Sequence, residues 1–195
     1  HIVFDEEHRQ SPGLFDLQNM GDHILSLLPV HSGHRLIQDQ KFEEALKETE
    51  KIRAAAEKAG DQDEWTRARV KEVQLKTGLH GYETSVRFLK EQPWPEGATQ
   101  KAVLQLFYAR SLFNYYGAYS WEINQREKVE SKVEVDLKAW TKDQLFAEAE
   151  KAYVEVFKRR EALGREPVSR LAEYLDLNNY PEDIRGTLRD AVSYL

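Results

Sequence analysis

The run Lys41-Phe42-Glu43-Glu44-Ala45-Leu46 starts a pattern that continues through most of the chain. Apolar residues recur at spacings of three and four, in blocks of helix length separated by short polar breaks. That periodicity lays an apolar stripe along one side of an α-helix and does not suit a strand, whose sides alternate every residue. Over residues 36–59 the stripe is Phe42, Ala45, Leu46, Thr49, Ile52, Ala55, Ala56 and Ala59, and Gly60 ends it. Asp61 or Asp63 can cap the next helix, where Trp65, Ala68 and Leu75 lie to one side and Val70 and Val73 to another. A helix with two apolar sides packs between neighbours.

Gly78 and Gly81 mark a tight break. Tyr82, Val86 and Leu89 then outline a shorter helix that stops before Pro93-Trp94-Pro95, where the rings remove backbone donors and restrict the preceding residues. Residues 98–118 carry Ala102, Leu106, Ala109, Phe113 and Tyr116 on one stripe and Leu104, Tyr108, Tyr115 and Tyr119 on another, which predicts the most buried element. From 128 to 140, Val129, Val133, Val135 and Leu137 alternate with charged residues, which suits a loop or a short extended segment, and an inserted loop is expected. Thr141 and Gln144 have the spacing of a capping box. The stripe Leu145, Ala149, Ala152, Tyr153, Val156, Phe157 and Leu163 follows, ended by Gly164, with Lys158, Arg159 and Arg160 placed to suit the negative end of the helix dipole.

The expected fold is therefore all-α: antiparallel helical hairpins over residues 36–195. Residues 1–35, broken by Ser11-Pro12-Gly13, Gly21, Pro29 and Ser32-Gly33, read as an irregular leader or linker, native or added. Leu188, Ala191, Val192 and Leu195 keep helical spacing to the last residue, and the first residue is His1, so the chain reads as a fragment truncated at its C-terminus.

Phe42-x-x-Ala45, followed by Trp65 with Ala68, then Tyr82, Val86 and Leu89, then Pro93, resembles the tetratricopeptide repeat. The resemblance implies a superhelical stack of hairpins, although the Gly78 turn departs from the family's period. A second resemblance rests on Tyr119-Ser120-Trp121-Glu122-Ile123, on Asp136-Leu137-Lys138-Ala139-Trp140-Thr141 and on Asn178 to Ala191. These are similar to the N-terminal helical region of bacterial alpha-2-macroglobulin-like proteins. It implies a module preceding β-sandwich domains in an exported protein of the periplasm or cell envelope, with other envelope proteins or its own downstream domains as partners. The family's thioester needs a cysteine, and this chain has none.

Composition narrows the function. A net charge of -6, with both signs mixed on the same helices, does not build a phosphate-binding surface, so nucleic acid is not expected as a partner. No apolar run is long enough for membrane insertion. Without cysteine there is no thiol catalysis, and no glycine-rich phosphate loop or nucleophile elbow is present, so neither a catalytic residue nor a cofactor is assigned. The expected role is non-catalytic protein binding or scaffolding, through a surface near Trp94, Tyr119, Trp121 and Arg126. The aromatic cluster Phe107, Tyr108, Phe113, Tyr115, Tyr116, Tyr119 and Trp121 is expected mainly in the core, with the alternative that it lines a ligand groove.

The other alternative is a metal-dependent enzyme using His23, His31 and His34 with Asp22, since imidazole and carboxylate are common zinc ligands. A calorimetric zinc titration separates the two readings. No heat of stoichiometric binding is expected, whereas tight binding lost in His31→Ala would favour the enzyme.

Overall fold

The structure, a computed structural model, describes residues 35–128, 135–171, 174 and 187, with side chains from residue 40 onward except that of Leu171. The chain divides into two units: Gly33–Leu163, and His1–Ser32 with Gly164–Leu195. The first unit holds α1 (Arg35–Ala59), α2 (Gln62–Gly78), α3 (Tyr82–Glu91), α4 (Ala98–Ile123), α5 (Lys142–Lys158) and the single turn α6 (Arg160–Leu163). The described residues of the second include a 3-10 turn, Val168–Leu171, and an isolated antiparallel bridge between Pro167 and Thr187. Glu166 and Arg170 form an ion pair there at 2.7 Å. The helical spacing of Leu188 to Leu195 falls outside the described residues, as does nearly all of the Asn178 to Ala191 motif.

Helix ends follow the local chemistry. Gly60 takes a left-handed φ of +72, and the Asp61 side chain accepts the Glu64 amide, so α1 stops and α2 starts across two residues. At α5 the capping box is complete: the Gln144 amide donates to Thr141 Oγ1 at 3.4 Å, and the Thr141 amide donates to Gln144 Oε1 at 3.0 Å. Basic side chains close the other end of α5. Arg159 donates to the Glu155 carbonyl, and Arg160 to the Phe157 carbonyl at 3.2 Å.

Cross-helix contacts set the directions. Glu50 with Lys76 and Arg53 with Glu72 pair rising numbers with falling ones, so α1 and α2 form an antiparallel hairpin. Tyr116 meets Phe146 and Tyr108 meets Glu148, which makes α4 and α5 antiparallel as well. The short α3 lies against α2 and α4 and reaches α5 through Lys90 and Glu148, 3.1 Å apart. The core has α4 at its centre, packed on α3 and α5; Leu104, Ala109 and Leu112 of α4, Val86 and Leu89 of α3 and Leu145, Ala149 and Val156 of α5 are all buried.

Four expectations change in detail. The stripe on α1 is only partly covered: Thr49 and Ala56 are buried, but Ile52 is 41% exposed and Ala55 and Ala59 are exposed, because α1 packs chiefly on one partner, α2. Helix α4 runs to Ile123, five residues past the expected end, through a non-helical Tyr119 at φ -122 and ψ 21 just beyond Gly117. Helix α5 ends at Lys158 and not at Gly164. Arg159 breaks it by bonding its amide to the Val156 carbonyl, and α6 carries Leu163 back into the core. Phe157, placed on the apolar stripe, is 58% exposed.

The fourth concerns the inserted loop. Val129 and Val133 lie outside the described residues, but Val135, Leu137 and Trp140 are buried, and Leu137 is wholly so. Lys138 is exposed and Asp136 half-buried, while the apolar residues plug the bundle. Leu137→Ala should therefore cost about 2–5 kcal/mol in chemical denaturation, in the same range as Leu104→Ala. A loss below about 0.5 kcal/mol would mark the segment as a solvated insertion after all.

Candidate functional site: an aromatic edge and a buried charge cluster

Two groupings of side chains stand out in the first unit. One is at the surface, where the α2–α3 turn meets the kinked end of α4. His80, at φ 60, lies 6.1 Å from the Tyr82 ring. Tyr82 meets Tyr119 edge-on at 6.4 Å, and Tyr119 lies 5.0 Å from Tyr115. These spacings and angles are those of favourable aromatic pairs. The row passes from an exposed ring to a buried one, since Tyr119 is 39% exposed and Tyr115 is in the core with its hydroxyl donating to the Leu137 carbonyl at 2.9 Å. Trp121, two residues beyond the kink, is 78% exposed.

The four residues that the sequence singles out for a binding surface occupy different settings. Tyr119 belongs to this row, and Trp121 follows it by two residues with its ring in solvent. Trp94 lies at the other end of α4, on the order of 30 Å away along the helix axis by the rise per residue. It is half-buried, with its indole N–H donating to the Leu89 carbonyl. Arg126 is turned inward: its guanidinium donates to the carbonyls of Leu137 at 2.7 Å and Trp140 at 3.0 Å, and pairs with Glu122 at 2.7 Å. It holds the buried segment 135–140 against the end of α4. The wider aromatic cluster is mixed, with Tyr108 and Tyr115 buried, Phe107, Phe113 and Tyr116 half-buried, and Tyr119 and Trp121 exposed.

The second grouping is internal and was not anticipated from the sequence. Arg69 and Glu72 of α2 have no measurable exposure. Arg69 donates to the carbonyls of Pro93 at 2.9 Å and Phe88 at 3.0 Å, and its guanidinium lies 4.7 Å from the centre of the Phe88 ring. Arg53 and Lys76 approach the same ring at 5.8 and 5.0 Å, so three cations surround one aromatic ring. Glu72 Oε1 accepts from Arg53 Nε at 2.6 Å.

Burial, and then the neighbouring charge of Arg53, pulls the Arg69 guanidinium down to about 10, so it is still charged at neutral pH. Burial pushes the Glu72 carboxyl above its ordinary value despite the Arg53 bond. The signal in the sequence was positional. Arg69 falls between the two apolar sides of α2 and Glu72 within the side of Trp65, Ala68 and Leu75, positions that a helix packed on both sides must bury.

Among the described residues no group of three or more histidine and carboxylate side chains is arranged to hold a metal ion, and no helix is long and apolar enough to cross a membrane. His23, His31 and His34 lie outside the described residues. Comparisons of the chain with protein-family models, curated proteins and solved structures return no match.

Trp121 and Arg126 should respond in opposite ways to truncation. Trp121→Ala should leave stability within about 0.5 kcal/mol of the parent, because its ring lies in solvent. Arg126→Ala should cost about 1–3 kcal/mol by leaving the Trp140 carbonyl without that donor and freeing the plug. Denaturant titration of both variants gives the order, and the reverse order would contradict the placement of these two side chains.

Proposed function

We propose that this chain is a non-catalytic protein-binding module whose hairpins stack in the tetratricopeptide manner, and that it meets its partner through the edge formed by Tyr82, Tyr119 and Trp121. The observation that carries the reading is Trp121, a large amphipathic ring 78% exposed beside a packed row of tyrosines. Tryptophan and tyrosine are enriched among the residues that dominate binding energy, because each buries a large area while losing few rotamers. Tyr82 and Tyr119, packed edge-on at 6.4 Å, are held in place before binding, which lowers the entropic cost of association.

The resemblance of residues 119–123 and 136–141 to macroglobulin-like proteins supports the further proposal that the module is the N-terminal helical part of a larger exported protein of the envelope. Its partner is then either the domains that follow it or another envelope protein. Both use the same edge.

A photo-crosslinking amino acid in place of Trp121, in the full-length protein in its own cells, tests the reading. One adduct is expected, mapped by mass spectrometry to a single protein segment, lost when Tyr119→Ala is added, and absent when the probe replaces the exposed Lys151 of α5. Equal labelling from both positions, or none from position 121, would refute a dedicated protein-binding edge. A map onto the same chain identifies the downstream domains as the occupant.

A further inference from the structure

We infer that α1 is a releasable strap, a helix that undocks from α2 as a unit about Gly60 and Asp61 while α2 to α5 stay assembled. Its hold is weak in apolar terms. Within residues 40–59 only Thr49 and Ala56 are buried, against eight residues in α2 and twelve in α4. Phe42, Ala45 and Leu46 are half-buried, and Ile52 faces solvent. Among the described residues α1 packs chiefly on α2, and it reaches α3 through Arg53 at the Phe88 ring.

The polar ties across the interface add specificity more than strength. Arg53 reaches the buried Glu72 at 2.6 Å, and Lys76 reaches the half-exposed Glu50 at 3.6 Å. For a charge pair like Arg53 and Glu72, the cost of removing the carboxylate from water offsets most of the attraction. The pair therefore selects the register of α1 without contributing much to its retention. Glu57, which accepts from Arg53 at 3.4 Å, gives the arginine an alternative partner on α1 itself when α1 leaves.

The rest of the bundle does not need α1. Helix α2 is tied to α3 through Arg69 with the Phe88 carbonyl and Thr77 with Ser85, and to α4 through Asp63 and Gln100. Helices α3, α4 and α5 meet at Glu148, which takes Lys90 at 3.1 Å and the Tyr108 hydroxyl at 3.2 Å. The connection at Gly60 is two residues long, and its glycine takes a left-handed φ that residues with a side chain rarely adopt. Undocking uncovers the side of α2 on which Ala68, Glu72 and Leu75 align by helical spacing.

Native-state hydrogen exchange on the whole chain tests the strap. Amides of α1 are expected to exchange at least about a hundredfold faster than the core amides of α4, with little dependence on denaturant, the mark of a local opening. Arg53→Ala should speed α1 exchange by about tenfold more while α4 amides keep their rates. A common rate and a common denaturant dependence for α1 and α4 would overturn the proposal, as would a variant that accelerates both helices alike. Should Arg53→Ala fail to fold, the denaturant dependence of the parent chain decides by itself.

Discussion

A ten-residue helix that stops just before a Pro-Trp-Pro corner leaves its last carbonyls without intrahelical donors, and the way this chain supplies them organises much of the first unit. Arg69 takes the Phe88 carbonyl and, with a second N–H, the Pro93 carbonyl beyond the corner. Trp94 takes the Leu89 carbonyl. One guanidinium thus joins the middle of α2 to the end of α3 and to the turn that leads into α4. Phe88 gives the buried charge an aromatic face in place of water, and Glu72 sits one turn further along α2 to offset it. The position of α4, and with it the core, depends on where that corner is held.

The opposite end of α4 uses the same physics with different residues. Arg126 and Tyr115 donate to the carbonyls of a segment with no regular structure, and Arg87 of α3 donates to the Val135 carbonyl at 3.2 Å. Carbonyls that lack helix or sheet partners are satisfied by long side chains, so Val135, Leu137 and Trp140 enter the core with their carbonyls paired. Arginine suits both ends because its planar fork can serve two carbonyls at once.

What was legible in the sequence was what depends on near neighbours. The helices over Phe42 to Ala59, Trp65 to Leu75 and Leu145 to Val156, the Thr141 capping box and the burial of Leu104 and Ala109 all follow from spacings of three and four or from a single cap. What was not legible depends on distant partners. Burial of Arg69 is decided by carbonyls 19 and 24 residues away, and the inward turn of Arg126 by carbonyls 11 and 14 residues away. The segment from Val135 to Trp140 showed an alternation that suits a strand or a loop equally, and only its place against α4 makes its apolar residues core. Exposure of Trp121 could be guessed from the chain but not told apart from the half-burial of Trp94, because both are tryptophans beside a helix end.

The separations along the chain also order its assembly. Arg53 finds Glu72 across 19 residues, whereas Lys90 must find Glu148 across 58 and Tyr108 must find it across 40. Contacts with short loops close early, because the entropy lost in closing them is smaller. Alone, α3 is too short to hold helical form in water, so its helix depends on packing against α2 and α4. During synthesis, α1 and α2 can pair while α5 is still unmade, and the surface of α4 that α5 will cover is left bare until then. That interval, more than any part of the finished fold, is when this chain is most exposed to aggregation.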